Sequence, residues 1–186
     1  MAPLYKLSYF DVRGLSEPIR LLFHDQKIEF IDHRFDRNEW PKIKPTIGMF
    51  GQVPCLYENG NPIVQSGAIM RHLGRRFDLY GNADEMTYVD EIYEGICDLK
   101  RKYAPFIYTE HSKFENLLKG KKYILNDKIS FADYSLFDML DTLLMLSPAC
   151  LSSFPTLKVY HADFITDHPN LKAYLKSDDH KKIRLN

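Results

Sequence analysis

The run Phe50-Gly51-Gln52-Val53-Pro54-Cys55-Leu56-Tyr57-Glu58-Asn59-Gly60-Asn61-Pro62-Ile63-Val64-Gln65-Ser66 reads as strand, tight turn, strand and helix start. Asn59-Gly60 tolerates positive φ at both central turn positions, so it suits a two-residue hairpin. Pro54 opens the first strand. It has no backbone donor, and a cis bond before it would bend Val53 outward. Val53 would then offer its N–H and C=O to an extended ligand, as a sheet edge does. Ser66 stands at a helix N-terminus, where hydroxyl and backbone dipole favour a carboxylate. A peptide-pairing edge beside an anion site points to a small acidic peptide as ligand.

Before this hairpin, Leu4, Leu7, Tyr9 and Phe10 mark a short strand that Gly14 breaks. Pro18 suits the first turn of a helix, and Ile19, Leu22, Phe23 and Gln26 fall on one face of it. Ile28, Phe30, Ile31 and Phe35 suggest a second strand. Residues 36–51 are irregular and rich in breakers. After the hairpin, Ala68, Ile69, His72 and Leu73 share a face of a helix ending near Asp78. The order β-α-β, irregular segment, β-β-α fits a small α/β domain over residues 1–79.

Composition changes after Leu79-Tyr80-Gly81. Met86, Val89, Ile92, Tyr93, Ile96, Leu99 and Tyr103 trace a long amphipathic stripe. Phe114, Leu117 and Leu118 mark another helix. Ser130-Phe131-Ala132-Asp133 is a capping box, in which the serine caps the helix and the aspartate reaches back. The apolar run 136–146 predicts a central buried helix, and Pro148, Pro155 and Pro169 punctuate those that follow. The chain therefore divides into 1–79, a linker at 80–83, and an all-helical domain over 84–186.

The bulk numbers narrow the function classes. Lys+Arg and Asp+Glu are both 25, so the balanced charge gives no nucleic-acid footprint. No stretch approaches the roughly 18 apolar residues of a membrane span, and the N-terminus lacks the pattern of a signal peptide. The expected address is the cytoplasm. Three widely spaced cysteines argue against a disulfide framework and against dithiol redox work. The seven histidines include no i,i+4 pair, so no metal site is expected.

Several of these segments together resemble the cytosolic glutathione transferases. They are Tyr9-Phe10-x-x-Arg13-Gly14, Gln52-Val53-Pro54, Gln65-Ser66-Gly67-Ala68-Ile69, Arg71-His72-Leu73 and Ile129-Ser130-Phe131-Ala132-Asp133-Tyr134. Asp98-Leu99-x-x-Lys102-Tyr103, with Ile107-Tyr108 after it, is most similar to the pi class. The resemblance runs over nearly the whole chain. It implies an α/β thioredoxin-like N-terminal domain plus an all-α C-terminal domain, the glutathione transferase fold, in a homodimer. Reduced glutathione enters as co-substrate with small hydrophobic electrophiles, and no cofactor is expected.

Such an enzyme must form a thiolate near neutral pH, whereas a free thiol titrates near 8.5. Each unit of depression needs about 1.4 kcal/mol of preferential thiolate stabilisation, and a hydroxyl aimed at sulfur can contribute. The resemblance assigns that hydroxyl to Tyr9. From the residues alone, Tyr9 could equally be one of 12 tyrosines packing a core. The resemblance also carries Trp40 and Lys44 to the glycine carboxylate of glutathione, with Lys42 a rival to Lys44. It carries Gln52, Val53 and Pro54 to the cysteinyl backbone, and Gln65 and Ser66 to the γ-glutamyl carboxylate. Asp98 would reach the partner subunit's glutathione. Phe10, Val12 and Tyr108 would line the electrophile site, and Phe50 resembles an aromatic key inserted between helices of the partner.

The pattern departs from the family in three places. Leu15 follows Arg13-Gly14 where many relatives have an arginine near the thiolate. Gly48 and Met49 stand where mammalian pi members have a reactive cysteine. The segment from Thr109 to Asn126 is short. Its two abrupt shortenings, at loop-like places, favour omission of disordered residues from the sequence. A true deletion would instead open the electrophile site. Two other functions share the fold: a non-catalytic carrier or structural protein, and a sigma-type prostaglandin isomerase. Retention of Tyr9, Gln52, Pro54, Gln65 and Ser66 favours the transferase.

Overall fold

A computed structural model of the chain describes residues 4–101 and 111–183. In order, it runs β1 (Tyr5–Phe10), α1 (Glu17–Asp25), β2 (Phe30–Phe35), α2 (Trp40–Ile43), β3 (Cys55–Glu58), β4 (Asn61–Val64) and α3 (Ser66–Arg76). Helices α4 (Ala83–Arg101), α5 (His111–Leu118), α6 (Phe131–Leu146), α7 (Pro155–Asp167), α8 (Pro169–Lys176) and α9 (Asp178–Lys182) follow. This is a thioredoxin-like sheet followed by helices, as expected. The described residues fall into two compact units. One takes in those up to Leu73 and those from Pro169 onward; the other spans Gly74–His168.

The sheet of the first unit has the order β2-β1-β3-β4. Strand β1 pairs parallel with β2 and antiparallel with β3, so it is central and almost wholly covered. A βα-crossover through α1 makes the parallel pairing possible. The hairpin closes where the sequence places it, with Asn59 and Gly60 at φ 52° and 85°. Asn59 also accepts from the Leu4 N–H and donates its own N–H to the Leu4 carbonyl, which fixes the turn to the start of β1. The Val53-Pro54 bond is cis. Pairing of β3 with its neighbours begins at Cys55, which leaves Val53 outside both registers.

The irregular segment 36–51 contains one helical turn, α2, between two 3-10 turns, Arg37–Glu39 and Lys44–Thr46. Asp36 starts it by accepting from the Asn38 N–H at 2.9 Å, while Glu39 accepts from the Asp36 N–H at 2.8 Å. Trp40 then stacks on Phe35 and meets Phe10 edge-on, with centroids 5.9 and 5.4 Å apart. These contacts hold the short helix against the ends of β1 and β2.

Helix α1 differs from its one-faced expectation. Glu17 through Phe23 are all buried, and Gln26 is an exposed C-cap instead of part of the apolar face. The second covered face comes from the chain's last helices. Tyr174 of α8 stacks on His24 at 3.7 Å, and Asn170 donates to the Asp25 carbonyl at 2.9 Å. The side chains from α8 and α9 that meet α1 are polar as well as aromatic, which hydrophobic spacing does not reveal.

In the second unit, α4 buries Val89, Ile92, Tyr93, Ile96 and Leu99, the expected stripe. Tyr103 lies outside the described residues. Helix α6 is covered on all sides from Phe131 to Leu140, but Met145 and Leu146 are 53% and 55% exposed. The buried run therefore stops about a turn short of the expected 136–146. Phe154 offers α7 no capping side chain; Glu115 of α5 takes that role by accepting from the Thr156 and Leu157 N–H groups, both at 2.9 Å. No helix among the described residues is long and apolar enough to cross a membrane.

Asp133 ties this unit together. Its fully buried carboxylate accepts from the Ser130 N–H and hydroxyl, the Ile124 N–H and the Tyr160 hydroxyl, at 2.7–3.0 Å. Burial raises its pKa, and these bonds only partly offset the effect. Asp133→Ala would orphan two buried backbone donors and the Ser130 hydroxyl. The expected loss is about 3 kcal/mol or more, read as a lower urea midpoint with an unchanged slope; an unaltered midpoint would refute this accounting.

Candidate functional site

A cleft of about 350 Å³ opens in the first unit, lined by Phe10, Leu15, Trp40, Gln52, Val53, Pro54, Gln65 and Ser66. Six of these stand among the expected glutathione ligands, and Phe10 among the electrophile contacts. The hairpin supplies Val53, Pro54, Gln65 and Ser66; the aromatic packing around α2 supplies Trp40. Gln65 donates its amide to the Gln52 side-chain oxygen at 2.8 Å, although both residues are exposed. That bond orients two amides over the cleft before any ligand arrives. Gln65 holds a φ of +74°, and Ser66 begins α3 directly after it. The first N–H groups of α3 thus have no carbonyl a turn earlier in the helix and face an anion readily.

Tyr9 is 8% exposed, at the end of β1. Its hydroxyl oxygen accepts the Leu15 N–H at 3.2 Å. A donor on a phenol oxygen polarises the O–H and makes it a stronger donor in turn. Leu15 lines the cleft and is 48% exposed, whereas Tyr9 is not among the lining residues and meets the cleft only through this bond to Leu15. The loop reaches so close only because position 14 is glycine. Gly14 has φ +44°, and a Cβ there would lie 2.6 Å from the Tyr9 hydroxyl.

The remaining expected residues are placed differently. Val12 is 9% exposed and contributes its carbonyl to Arg20 instead of lining the cleft. Lys44 is exposed and does not line it; its stem runs beside Gly51, next to Gln52. Lys42 is exposed too. Phe50 and Met49 project from their loop, 59% and 87% exposed. Asp98 is exposed in the second unit, on a separate cleft of about 340 Å³ between α4 and α5 with Ile92, Gly95, Leu99, Phe114 and Leu117. Tyr108 lies outside the described residues. Sequence reasoning treated Leu15 only as a missing arginine and overlooked its backbone. The available signal was Gly14, a left-handed glycine five residues after the candidate hydroxyl.

Comparison with known proteins places the chain in a family. Residues 5–75 match the glutathione S-transferase N-terminal domain, and residues 99–178 match the glutathione S-transferase C-terminal domain. "Glutathione S-transferase 2" of Onchocerca volvulus is 45% identical, with 98% of this chain and 97% of the relative covered. "Glutathione S-transferase P" of Caenorhabditis elegans is 43% identical, with 91% of each covered. The solved pi-class glutathione S-transferase of Onchocerca volvulus superimposes with a TM-score of 0.90, at 45% identity, over 98% of this chain and 97% of that one. The chain belongs to the glutathione S-transferase family.

The Onchocerca alignment runs over 203 positions but uses 98% of a 186-residue chain, so about 20 positions of the alignment have no counterpart in this sequence. Helix α5 is described over 8 residues, His111–Leu118.

Gly14→Ala tests the close approach of the loop to Tyr9. A methyl group at positive φ and 2.6 Å from the hydroxyl must push the ring or the loop away. The expected result is a stability loss of about 1–2 kcal/mol and faster amide exchange at Leu15. Wild-type exchange there would show that the loop accommodates a Cβ.

Proposed function

We propose that this chain conjugates the thiolate of reduced glutathione to hydrophobic electrophiles, a detoxifying reaction in the cytoplasm, and works as a homodimer. The observation that carries the reading is the bond from the N–H of Leu15, a residue lining the hairpin cleft, to the Tyr9 hydroxyl behind it. Tyr9 donates to sulfur, Gln52 and Val53 hold the cysteinyl backbone beside Pro54, and Gln65, Ser66 and the start of α3 hold the γ-glutamyl carboxylate. Trp40 faces the glycine end, with Lys44 supplying charge to its carboxylate from the exposed rim. The electrophile meets the apolar side formed by Phe10 and Leu15.

At pH 7 a thiol of ordinary pKa is only about 3% ionised. With leucine at position 15, no side-chain cation stands beside the sulfur at that point. The thiolate therefore depends chiefly on the Tyr9 donor bond and on the helix terminus. Tyr9→Phe should raise the pH midpoint of bound thiolate by about 1–2 units and lower conjugation at neutral pH about 10–100-fold. Retention on immobilised glutathione should persist. Full neutral-pH turnover of a chlorodinitrobenzene-type substrate with an unmoved midpoint would refute the role of Tyr9. Retention by the wild-type protein without any turnover would favour a carrier on the same fold.

The dimer reading rests on two complementary features. Phe50 is a large exposed aromatic on a loop, an unfavourable arrangement in a monomer. The cleft between α4 and α5, lined by Ile92, Leu99, Phe114 and Leu117 together with Glu91, Asp98 and Lys113, would receive that ring, and Asp98 would reach the glutathione of the partner subunit. Phe50→Ser should cost about 2 kcal/mol or more of association, as loss of a buried aromatic anchor does. Sedimentation would then detect monomer at micromolar concentration. A fully dimeric variant would refute the key-and-groove contact.

A further inference from the structure

The first unit contains a buried polar network that neither substrate binding nor the thiolate chemistry uses. Glu17, the first residue of α1, is 1% exposed. One carboxylate oxygen faces His180 Nε2 at 3.1 Å and accepts from the Tyr174 hydroxyl at 3.3 Å. The other accepts from Arg20 Nη1 at 3.1 Å. That same nitrogen donates to the Val12 carbonyl at 3.0 Å, and Arg20 Nε donates to Asp32 at 3.0 Å. Arg34 bridges Asp32 to Asp179 of α9. Burial alone would push the Glu17 carboxyl up; the close approach of His180 Nε2 and the Arg20, His180 and Arg13 charges more than offset it and hold it below the ordinary range.

Position in the chain makes this network more than a brace. It grips the loop between β1 and α1 on both sides of Leu15, at the Val12 carbonyl and at Glu17. Within that loop Ser16 and Glu17 donate their N–H groups to the Arg13 carbonyl, at 3.2 and 3.1 Å. Four residues clamped at both ends have little freedom, and the one N–H they turn inward is that of Leu15, onto Tyr9. A buried charge network contributes little net stability compared with apolar packing of the same volume, so fixing one conformation is its stronger justification.

We propose that His180 and Tyr174 are positioning residues for the Tyr9 hydroxyl, acting through Glu17, Arg20 and the Val12–Leu15 loop. The last helices thereby take part in setting the thiolate chemistry without touching substrate. This rests on the reading of Tyr9 as the sulfur's hydrogen-bond donor.

The test uses full-length His180→Leu, His180→Gln and Tyr174→Phe proteins with two readouts: amide exchange at Leu15, and the pH midpoint of bound glutathione thiolate followed by ultraviolet absorbance. In His180→Leu, Leu15 exchange should rise about tenfold, against unchanged exchange at Leu7 and Leu56. The thiolate midpoint should move up by about 0.5–1 unit, a three- to tenfold weaker thiol acid, with the KM for glutathione within twofold. His180→Gln keeps a donor and should restore most of both. Tyr174→Phe removes one oxygen and should give a smaller shift of the same sign; it carries the test if His180→Leu fails to fold. In a Tyr9→Phe background, His180→Leu should move the midpoint no further. Unchanged Leu15 exchange and midpoint in Tyr174→Phe and His180→Leu would overturn the proposal, as would acceleration spread evenly over the sheet. If Tyr9→Phe leaves the midpoint in place while His180→Leu still frees the Leu15 amide, the positioning stands and the catalytic assignment of Tyr9 falls.

Discussion

The guanidinium of Arg20 is fully buried, and the sheet-bearing unit is organised around it. An arginine cannot lose its charge in a protein, so burying one obliges the fold to supply acceptors. Here Glu17, Asp32 and the Val12 carbonyl answer from three different segments: α1, β2 and the loop after β1. Satisfying one side chain therefore fixes the start of the helix, the edge strand and the loop in a common frame. Removing it would leave Asp32 to Arg34 and Glu17 to Tyr174 and His180, and would free the Val12 carbonyl from its tie to α1.

The hairpin and the site it builds were legible in the sequence because their signals are local. Asn59-Gly60, Pro54 and the helix start at Ser66 each act within a few residues, and each appears where expected. The capping aspartate of α6 is legible for the same reason. What stayed hidden depends on distant partners. Nothing in the spacing of Tyr174, Asp179 or His180 indicates that they face Glu17 and Arg34, well over a hundred positions earlier. For the same reason residues from 169 onward read as part of an all-helical domain, while in space they belong with the sheet. The family pattern singled out Tyr9 and the residues that line the hairpin cleft, but it described position 15 by its side chain. The relevant group there is a backbone N–H, which every residue except proline carries.

The candidate site is consequently economical in charge. Its lining is aromatic, aliphatic and amide, with orientation supplied by hydrogen bonds between neutral groups and by the start of a helix. A neutral donor to sulfur is weaker than a cation, but its contribution is less sensitive to salt. The two glutamine amides, already bonded to each other, lose less freedom when a ligand is bound, and preorganisation of that kind strengthens binding without adding contacts.

The return of the last helices to the sheet has a consequence for biosynthesis. Domains ordinarily fold as units as the chain emerges, the N-terminal one first. In this chain the strands and α1 emerge early, but His180 and Tyr174, which complete the surroundings of Glu17, emerge well over a hundred residues later. Until then a half-covered helix and a buried-to-be carboxylate remain in water. The first unit to begin synthesis is thus finished only after the whole of the second has been made.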